Sequence, residues 1–422
     1  MSPSMLTSAI KGCISPDELL SLVEQHGLAF NQIHCVTVLS HAAQLVTRFR
    51  CVIPRSGIER MVQLAQEQLP AMDAQGLATA AYALAKMGHK DDVFMAALLE
   101  AAKPQLHDFI PQALANTVWA LATLGHVDGD FMAALIKAAR PQLCDFTPQA
   151  LANTVWALAT LGHADRDFLA ALLDAAKPKL QNFMPQNLSN TAWALAVLGH
   201  TDEDFMAALL KAALPQLRDF NPQDLANMMW ALATLGHADG DFIAALLKAG
   251  KPQLRDFKPQ ALMNTAWALA VLDHADDAFM AAVLQLAADM VIGLGSQDLI
   301  QLFMCMLWLG DQHSDVVVPA QLAAACKRAW MEERDNALPS RVQLEVLAVV
   351  RQLPGCSGAA SEQASDDGLF SIDIAVQFPD GSRLAVEVDG PIHFLSNALT
   401  LPKGATRLRA RDYLLSLGVG PV

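Results

Sequence analysis

The sequence has little positive charge, no closely spaced cysteines and no long apolar run, and each of these absences argues against a class of protein. Lysine and arginine number 29 against 43 acidic residues, so the net charge is −14 and the broad basic surface of many nucleic-acid-binding proteins is missing. The seven cysteines are scattered and never spaced as CxxC, which argues against a disulfide framework and a zinc site. No uncharged apolar stretch reaches about 18 residues, so no membrane span is predicted.

An internal repeat dominates what is present. The segment PQALANTVWALATLGH occurs twice unchanged, at 111–126 and 148–163, and variants begin at 185, 222 and 259. Eroded copies at 74 and 296 keep the same 37-residue step, which gives seven repeats. A repeat of this length that cannot bury its own apolar surface is stabilised by stacking on its neighbours. The sequence therefore predicts an all-α solenoid of helical hairpins.

Proline, glycine and aspartate residues at fixed places in the repeat predict where its two helices begin and end. Pro111 suits the first turn of helix A, and Gly125 is a left-handed C-cap. Asp130 is placed to cap helix B, and Pro141 breaks or kinks that helix near its end. The acidic residues are concentrated in the turns between helices, so the distribution of charge matters more than its sum. Identical steps also align identical side chains along one face, which would form a binding groove.

The PQxLAN(T)xWALAxLGH core resembles the octotricopeptide repeat family, and its step matches the related heptatricopeptide repeats. The resemblance covers residues 74–310 and implies a single-stranded RNA partner in a chloroplast or mitochondrion, with a footprint of roughly seven nucleotides. Other organellar RNA-metabolism proteins are further implied partners. The first 16 residues carry only a weak targeting signal, which leaves the cytoplasm as the alternative location.

Candidate RNA-binding residues are those that recur at fixed positions of the repeat. An asparagine at the sixth position either presents its amide to a base or forms a ladder between adjacent helices, and variable residues at the third and seventh positions are better placed to discriminate bases. Cations before the helix B proline either hold phosphates or belong to a solvated helix face. Recurrent tryptophans are assigned to the inter-repeat core rather than to base stacking, and recurrent histidines to turns. The RNA-binding candidates are Asn116, Thr117, Asn153, Thr154, Asn187, Asn190, Thr191, Asp224, Asn227, Asn264, Thr265, Lys103, Arg140, Lys177 and Lys251.

After residue 310 the period stops and a different domain is predicted. Two helices are expected within 317–353, a loop over 355–368, strands over 370–378 and 383–388 joined by a hairpin turn, and a last helix over 405–417. The strings SIDIAVQFPDGSR, AVEVDGPIHFL and GATRLRARDYLLSLG resemble the RAP domain over residues 339–422. This domain is similar to restriction-endonuclease-like nucleases of the PD-(D/E)xK class, which implies a small α/β fold.

The RAP resemblance also implies a metal-dependent nuclease site. Asp373, Glu387 and Asp389 would share a Mg²⁺ ion that activates water, and His393 and Arg409 would stabilise charge on the phosphate. Arg409 stands where the family often has lysine, and the chain stops short of the usual closing strand, so the domain is expected to be truncated. The alternative is a degenerate nuclease fold that serves in binding or packs against the solenoid.

These patterns predict four segments and one leading function. The segments are an N-terminal helical cap with a degenerate repeat (1–73), a seven-repeat solenoid (74–310), a helical linker (311–338) and a RAP-like domain (339–422). The leading function is sequence-selective binding of single-stranded RNA in organellar control of transcript stability, processing or translation, for which no cofactor is required. The alternatives are a repeat-guided, Mg²⁺-dependent endoribonuclease and a protein-interaction scaffold.

Overall fold

The structure, a computed structural model, describes residues 2–163, 165–336, 338–365, 368–388, 394–395 and 398–402. The chain divides into two compact units, Met1–Ala194 and Leu195–Val422. The helices of the first unit are α1 (Pro3–Gly12), α2 (Pro16–His26), α3 (Gln32–Phe49), α4 (Arg55–Gln68), α5 (Ala74–Met87), α6 (Asp92–Ala102), α7 (Pro111–Leu124), α8 (Gly129–Ala139), α9 (Pro148–Thr160) and α10 (Arg166–Ala176), and α11 (Pro185–Leu198) carries the boundary. Those of the second unit are α12 (Glu203–Ala213), α13 (Pro222–Leu235), α14 (Gly240–Gly250), α15 (Pro259–Leu272), α16 (Asp277–Asp289), α17 (Ser296–Asp311), α18 (Ala320–Asp335) and α19 (Arg341–Val350).

Each 37-residue repeat forms a hairpin of a helix A and a helix B, as the sequence predicts. Helix A is the odd-numbered helix from α5 to α17, and helix B is the even-numbered helix that follows it. In the first unit α5, α7 and α9 pack side by side, and in the second unit α13, α15 and α17 do the same. Each unit therefore has a layer of A helices backed by a layer of B helices. None of the described helices combines the length and the hydropathy that crossing a bilayer requires.

The turn from helix A to helix B is fixed by a glycine, a histidine and an aspartate. Gly125 has φ +63°, and the N–H of the following residue, His126, donates to the carbonyl of Leu121 at 3.0 Å, which closes the end of helix A. The predicted cap of helix B is corrected by two residues. Asp128, rather than Asp130, is the N-cap, and its Oδ1 accepts the N–H of Phe131 at 2.9 Å. Asp130 already lies inside the first turn, since helix B begins at Gly129.

The proline after helix B ends that helix and starts a short 3₁₀ turn, as predicted. In the second repeat this turn spans Arg140–Asp145, and the Nε2 of Gln142 donates to the carbonyl of Phe109 in the preceding repeat at 3.1 Å. Lys179 takes the matching position one repeat later and donates to the carbonyl of Phe146 at 2.7 Å. The side chain at this position thus lies in the turn that ends one repeat and donates a hydrogen bond to the loop of the preceding repeat.

Helical hairpins also extend beyond the copies that the motif marks. Before residue 74, α3 packs against α5 and against α4, in the arrangement that later hairpins use. At the other end α18, which lies within segment 311–338, packs against α17 and α16 as a helix B would. The ring centroids of Phe303 and Trp330 lie 5.4 Å apart across that last hairpin.

A small antiparallel sheet follows the helices. Strands β1 (Gly358–Ala364), β2 (Ser371–Gln377) and β3 (Arg383–Val386) pair in chain order, and β4 (Phe394–Leu395) pairs with β5 (Ala398–Pro402). Helix α19 covers the three-stranded sheet through Leu347 and Val350, which pack with Ile374 and Val376 of β2. The hairpin between β2 and β3 is confirmed. The loop expected over 355–368 is wrong, since β1 lies within it, and the helix expected over 405–417 lies outside the described residues.

Candidate nucleic-acid interface

One narrow stripe of each A helix remains accessible, and we call the set of these stripes the A-face. After Pro111, the accessible residues of α7 are Gln112, Asn116, Trp119 and Thr123, the second, sixth, ninth and thirteenth positions of the repeat, whereas 113–115, 117–118 and 120–122 are buried. The spacing of four, three and four residues is that of a single line along a helix. Neighbouring A helices and the B layer cover the other sides. The chemistry of the A-face is therefore set by these four positions.

Polar amides fill the first two positions of the stripe. Glutamine stands at the second position of all seven repeats, and asparagine at the sixth position of five. The Nε2 of Gln112 donates to the Oδ1 of Asn116 at 3.3 Å, and Gln223 donates to Asn227 at 2.8 Å. In the described part of the chain, neither asparagine bonds the backbone of a neighbouring helix, so the predicted ladder does not form at these two sites. The five asparagines, Asn116, Asn153, Asn190, Asn227 and Asn264, are all partly exposed.

Aromatic rings fill the ninth position in the first six repeats, and Met304 stands there in the seventh. Tyr82 and Trp119 lie with their ring centroids 5.2 Å apart and tilted by 49°, so these rings touch across adjacent repeats. The Nζ of Lys86 lies 4.8 Å from the Trp119 ring and 5.3 Å from the Tyr82 ring, within range of a cation–π interaction. The assignment of the tryptophans to the core needs correction, because Trp119, Trp156, Trp193 and Trp230 are only partly buried, and Trp267 alone of the five is buried, at 7% exposure.

The base-reading candidates at the third and seventh positions lie inside the repeat. Thr117, Thr154, Thr191 and Thr265 are buried, and each hydroxyl donates to the carbonyl four residues earlier at 2.7–2.8 Å. Asn187 and Asp224 are buried as well, and each side chain accepts a backbone N–H at 3.2 Å before the start of its own helix. These buried side chains complete the helices and do not present their polar groups on the A-face.

The variable position that does reach the surface is the thirteenth, which the sequence reasoning missed. Its occupants in the first four repeats are all exposed and are of three residue types: Lys86, Thr123, Thr160 and Val197. In the fifth repeat Thr234 is buried at 6% exposure. The thirteenth position lies seven residues, or two helical turns, beyond the recurrent asparagine, and this spacing was the signal that would have found it.

The predicted phosphate-binding cations lie away from the A-face. Lys103, Arg140, Lys177 and Lys251 are exposed at the first residue of the 3₁₀ turn that ends helix B. The guanidinium carbon of Arg140 lies 5.9 Å from the ring of Phe168, at the start of the next helix B. This row therefore follows the B layer. Helices α7, α9 and α15 contain no charged residue at all, so the A-face there is neutral.

The recurrent histidines are turn residues, as predicted. All six donate their backbone N–H to a carbonyl of the last turn of helix A, and His126 also places its Nδ1 3.3 Å from the Oδ1 of Asp92. Among the described residues, no group of three or more histidine, cysteine, aspartate or glutamate side chains is placed to hold a metal ion.

The predicted nuclease residues are described only in part. Asp373 of β2 is partly buried, and its Oδ2 accepts the N–H of Val388 at 2.7 Å, which holds the chain just beyond β3 against β2. Glu387 is exposed, and Asp389, His393 and Arg409 lie outside the described residues. The two described carboxylates do not by themselves supply the ligand set of a Mg²⁺ site, so the nuclease assignment stays a prediction.

Comparison with known families gives a match over the helical repeats. The family described as "Tbc2 translation factor, N-terminal domain" matches residues 35–166 and again residues 162–306, which together make up more than half of the chain. The first match begins within α3 and so includes the hairpin that precedes residue 74. A comparison with curated proteins found no match.

Proposed function

We propose a function from the premise that this chain belongs to the family described as "Tbc2 translation factor, N-terminal domain". The A-face binds single-stranded RNA, and this binding controls translation of the bound transcript. The family description ties the repeat domain to translation. The RNA ligand is our inference from the chemistry of the A-face.

The observation that carries the proposal is the row of glutamine, asparagine and a partly exposed aromatic ring that repeats along α7, α9, α11 and α13. Unpaired bases offer hydrogen-bonding edges to amides and flat faces to aromatic rings, and helical repeat proteins use such side chains to bind single strands. A duplex hides both features, so we expect a preference for single strands. Because α7 and α9 carry no charge, the base contacts should supply most of the affinity.

The asparagine row is tested by comparing two substitutions of the same residue type in the first unit. Asn153→Ala removes an amide of the A-face, whereas Asn182→Ala removes an exposed amide in the 3₁₀ turn after α10. Fluorescence anisotropy with a random-sequence single-stranded RNA pool measures the affinity. Loss of one hydrogen bond, about 0.5–1.5 kcal/mol, predicts a loss of about two- to twelvefold for the first variant and none for the second.

The aromatic row is tested at Trp156. Trp156→Ala removes a stacking platform worth about 1–3 kcal/mol per base, which predicts a loss of roughly five- to 150-fold in affinity. Trp156→Phe keeps a ring in the same place and should lose less. The proposal is refuted if the native chain binds no single-stranded RNA, or if the Asn153 and Trp156 variants bind as tightly as the Asn182 control.

The location remains part of the proposal. The resemblance to octotricopeptide repeats alone points to a chloroplast or a mitochondrion. Imaging of a fluorescent fusion of the full chain tests this, and a signal confined to the cytoplasm contradicts it.

A further inference from the structure

A polar cleft of about 350 Å³ opens between α1, α3 and α5 in the first unit. Apart from Val36, its lining is polar and comprises Lys11, Thr37, Ser40, His41, Gln44 and Thr79. Thr79 occupies the sixth position of the first repeat, where later repeats have the A-face asparagine. The cleft is thus continuous with the N-terminal end of the A-face.

Three hydrogen-bond donors in this cleft have no partner. Within the residues that the structure describes, the Lys11 ammonium, the Ser40 hydroxyl and the Gln44 amide form no hydrogen bond or ion pair. The other lining groups are engaged: the Thr37 and Thr79 hydroxyls donate to carbonyls of their own helices at 2.6 and 2.7 Å. A cleft with a free hydroxyl, a free amide and a free ammonium suits an oxyanion.

The ring of His41 is also fixed. Its Nε2 lies 2.7 Å from the carbonyl oxygen of Cys13, which can only accept, so the Nε2 carries the proton and donates. This bond ties α3 to the end of α1 and holds the Lys11 side of the cleft beside the Ser40 side. The helices that carry the donors are therefore held together at this point by a hydrogen bond of the fold itself.

The absence of acidic groups distinguishes this cleft in a chain of net charge −14. No carboxylate is among its lining residues. Lys11 lies in the last turn of α1, where a helix C-terminus favours a cation, but that effect does not account for the free hydroxyl and amide beside it. On the A-face itself, Lys86 of α5 is a cation in the first repeat, while α7 and α9 carry none. Positive charge on the A-face of the first unit is thus confined to its N-terminal end.

We infer that the α1–α3–α5 cleft binds a phosphate group of the RNA strand that lies along the A-face. This inference rests on the proposed function and adds to it which part of the RNA is contacted at each place. The strand is anchored through a phosphate at the N-terminal end of the A-face and is contacted through its bases along α7 and α9. The phosphate is either an internal phosphodiester or a terminal monoester.

The test uses the full chain with a random-sequence 5′-hydroxyl RNA pool and the same pool carrying a 5′-phosphate. Lys11→Gln removes the cation, and Lys137→Gln, an exposed lysine of α8 in the B layer, is the matched control. Loss of one phosphate contact lowers the slope of log affinity against log salt by about 0.7 for a single strand. We also expect up to about a fivefold loss of affinity at low salt, the size of an exposed ion pair.

A second pair of variants separates phosphate binding from a structural role of Lys11. Ser40→Asp adds a negative charge to the cleft and should weaken RNA binding, whereas Ser40→Asn has a similar size without the charge and should bind normally. Both should unfold at the temperature of the native chain. A loss seen with both pools identifies an internal phosphate, and a loss confined to the phosphorylated pool identifies the terminal one.

The outcomes separate this inference from the proposed function. If the native chain binds RNA but Lys11→Gln keeps the same salt slope and Ser40→Asp keeps the same affinity, the phosphate site is refuted while RNA binding stands. If the native chain binds neither pool, the proposed function fails first. A Lys11→Gln variant that only unfolds more easily, with an unchanged salt slope, also overturns the inference.

Discussion

Asp273 supplies the sharpest test of how the repeats are joined. Five earlier repeats place a glycine with positive φ at the end of helix A, whereas the sixth places Asp273 there with φ +54°. Its Oδ1 accepts the indole N–H of Trp308 in α17 at 2.7 Å and the side-chain amide N–H of Gln312, the residue after α17, at 2.9 Å. Asp273 thus combines an unfavourable backbone conformation with side-chain hydrogen bonds to the next repeat.

The two contributions have opposite signs, so their sizes predict an order of stability. Replacing Asp273 with glycine relieves roughly 1 kcal/mol of left-handed backbone strain. The same change leaves the indole N–H of Trp308, a residue with 0% exposure, without its acceptor, which costs about 1–3 kcal/mol. We therefore expect Asp273→Asn to lose least, Asp273→Gly about 1 kcal/mol, and Asp273→Ala, which keeps the strain and loses the bond, about 2 kcal/mol or more.

A double-mutant cycle with Trp308→Phe isolates the bond. Without the indole N–H, Asp273→Gly should become neutral or stabilising, because only the strain relief and the weaker exposed bond to Gln312 remain. Repeat arrays depart from two-state unfolding, so hydrogen exchange in peptides from α15 and α17 should accompany the urea midpoint. If Asp273→Gly changes stability equally in both backgrounds, the reasoning is refuted.

Three further predictions concern the first unit. Asp128→Ala should destabilise α8 by about 1 kcal/mol through loss of its cap, whereas Asp130→Ala should change the thermal midpoint little. Gln142→Ala should cost about 1 kcal/mol, while Gln142→Lys should be tolerated, because the next repeat makes the same bond with lysine; urea denaturation checks both. Burial raises the pKa of Cys35 to about 12, so at pH 8 an alkylating reagent followed by mass spectrometry should modify exposed Cys144 and leave Cys35 intact. The raised pKa also means that the contribution of Cys35 to stability is present below its unfolded pKa and is lost as pH rises toward 12, which unfolding midpoints at pH 8 and 10 would show.

The hairpin repeats could be predicted because their signals are local. Proline at the start of helix A, glycine at its end and proline after helix B each restrict the backbone at one residue, and the 37-residue step repeats the restriction. The repeat motif does not mark α3 and α18, because these two helices keep the packing of the array without the residues of the motif. Strand β1 was not predicted because its Gly, Ala and Ser residues have weak strand propensity. Its strand conformation is stabilised by pairing with β2.

The candidate interface was predicted less well, because exposure depends on neighbours that the repeat alone does not reveal. Recurrence identified Asn116 and Trp119, yet it could not separate them from Thr117, which recurs equally and is buried. The two-sided packing of A helices leaves a single line open on each, and only the structure shows which line. The cleft beside Lys11 had no sequence signal, since its residues come from three helices that share no motif.

The acidic balance that argued against RNA is explained by capping. Every described turn from helix A to helix B between α5 and α16 ends in an aspartate that accepts a backbone N–H at the start of helix B. Each of these six B helices has another acid in its first turn, where the helix dipole favours negative charge. The charge therefore accumulates with repeat number along the turns, whatever the ligand. The A-face helices α7 and α9 remain neutral beside it. An RNA strand on this face would contact the amides and rings of these helices, whereas the capping carboxylates lie in the turns, and salt at about 0.1 M screens charges more than roughly 10 Å apart. The net charge of the chain thus reflects how its B helices are capped. The residues of the A-face are the better guide to what the A-face binds.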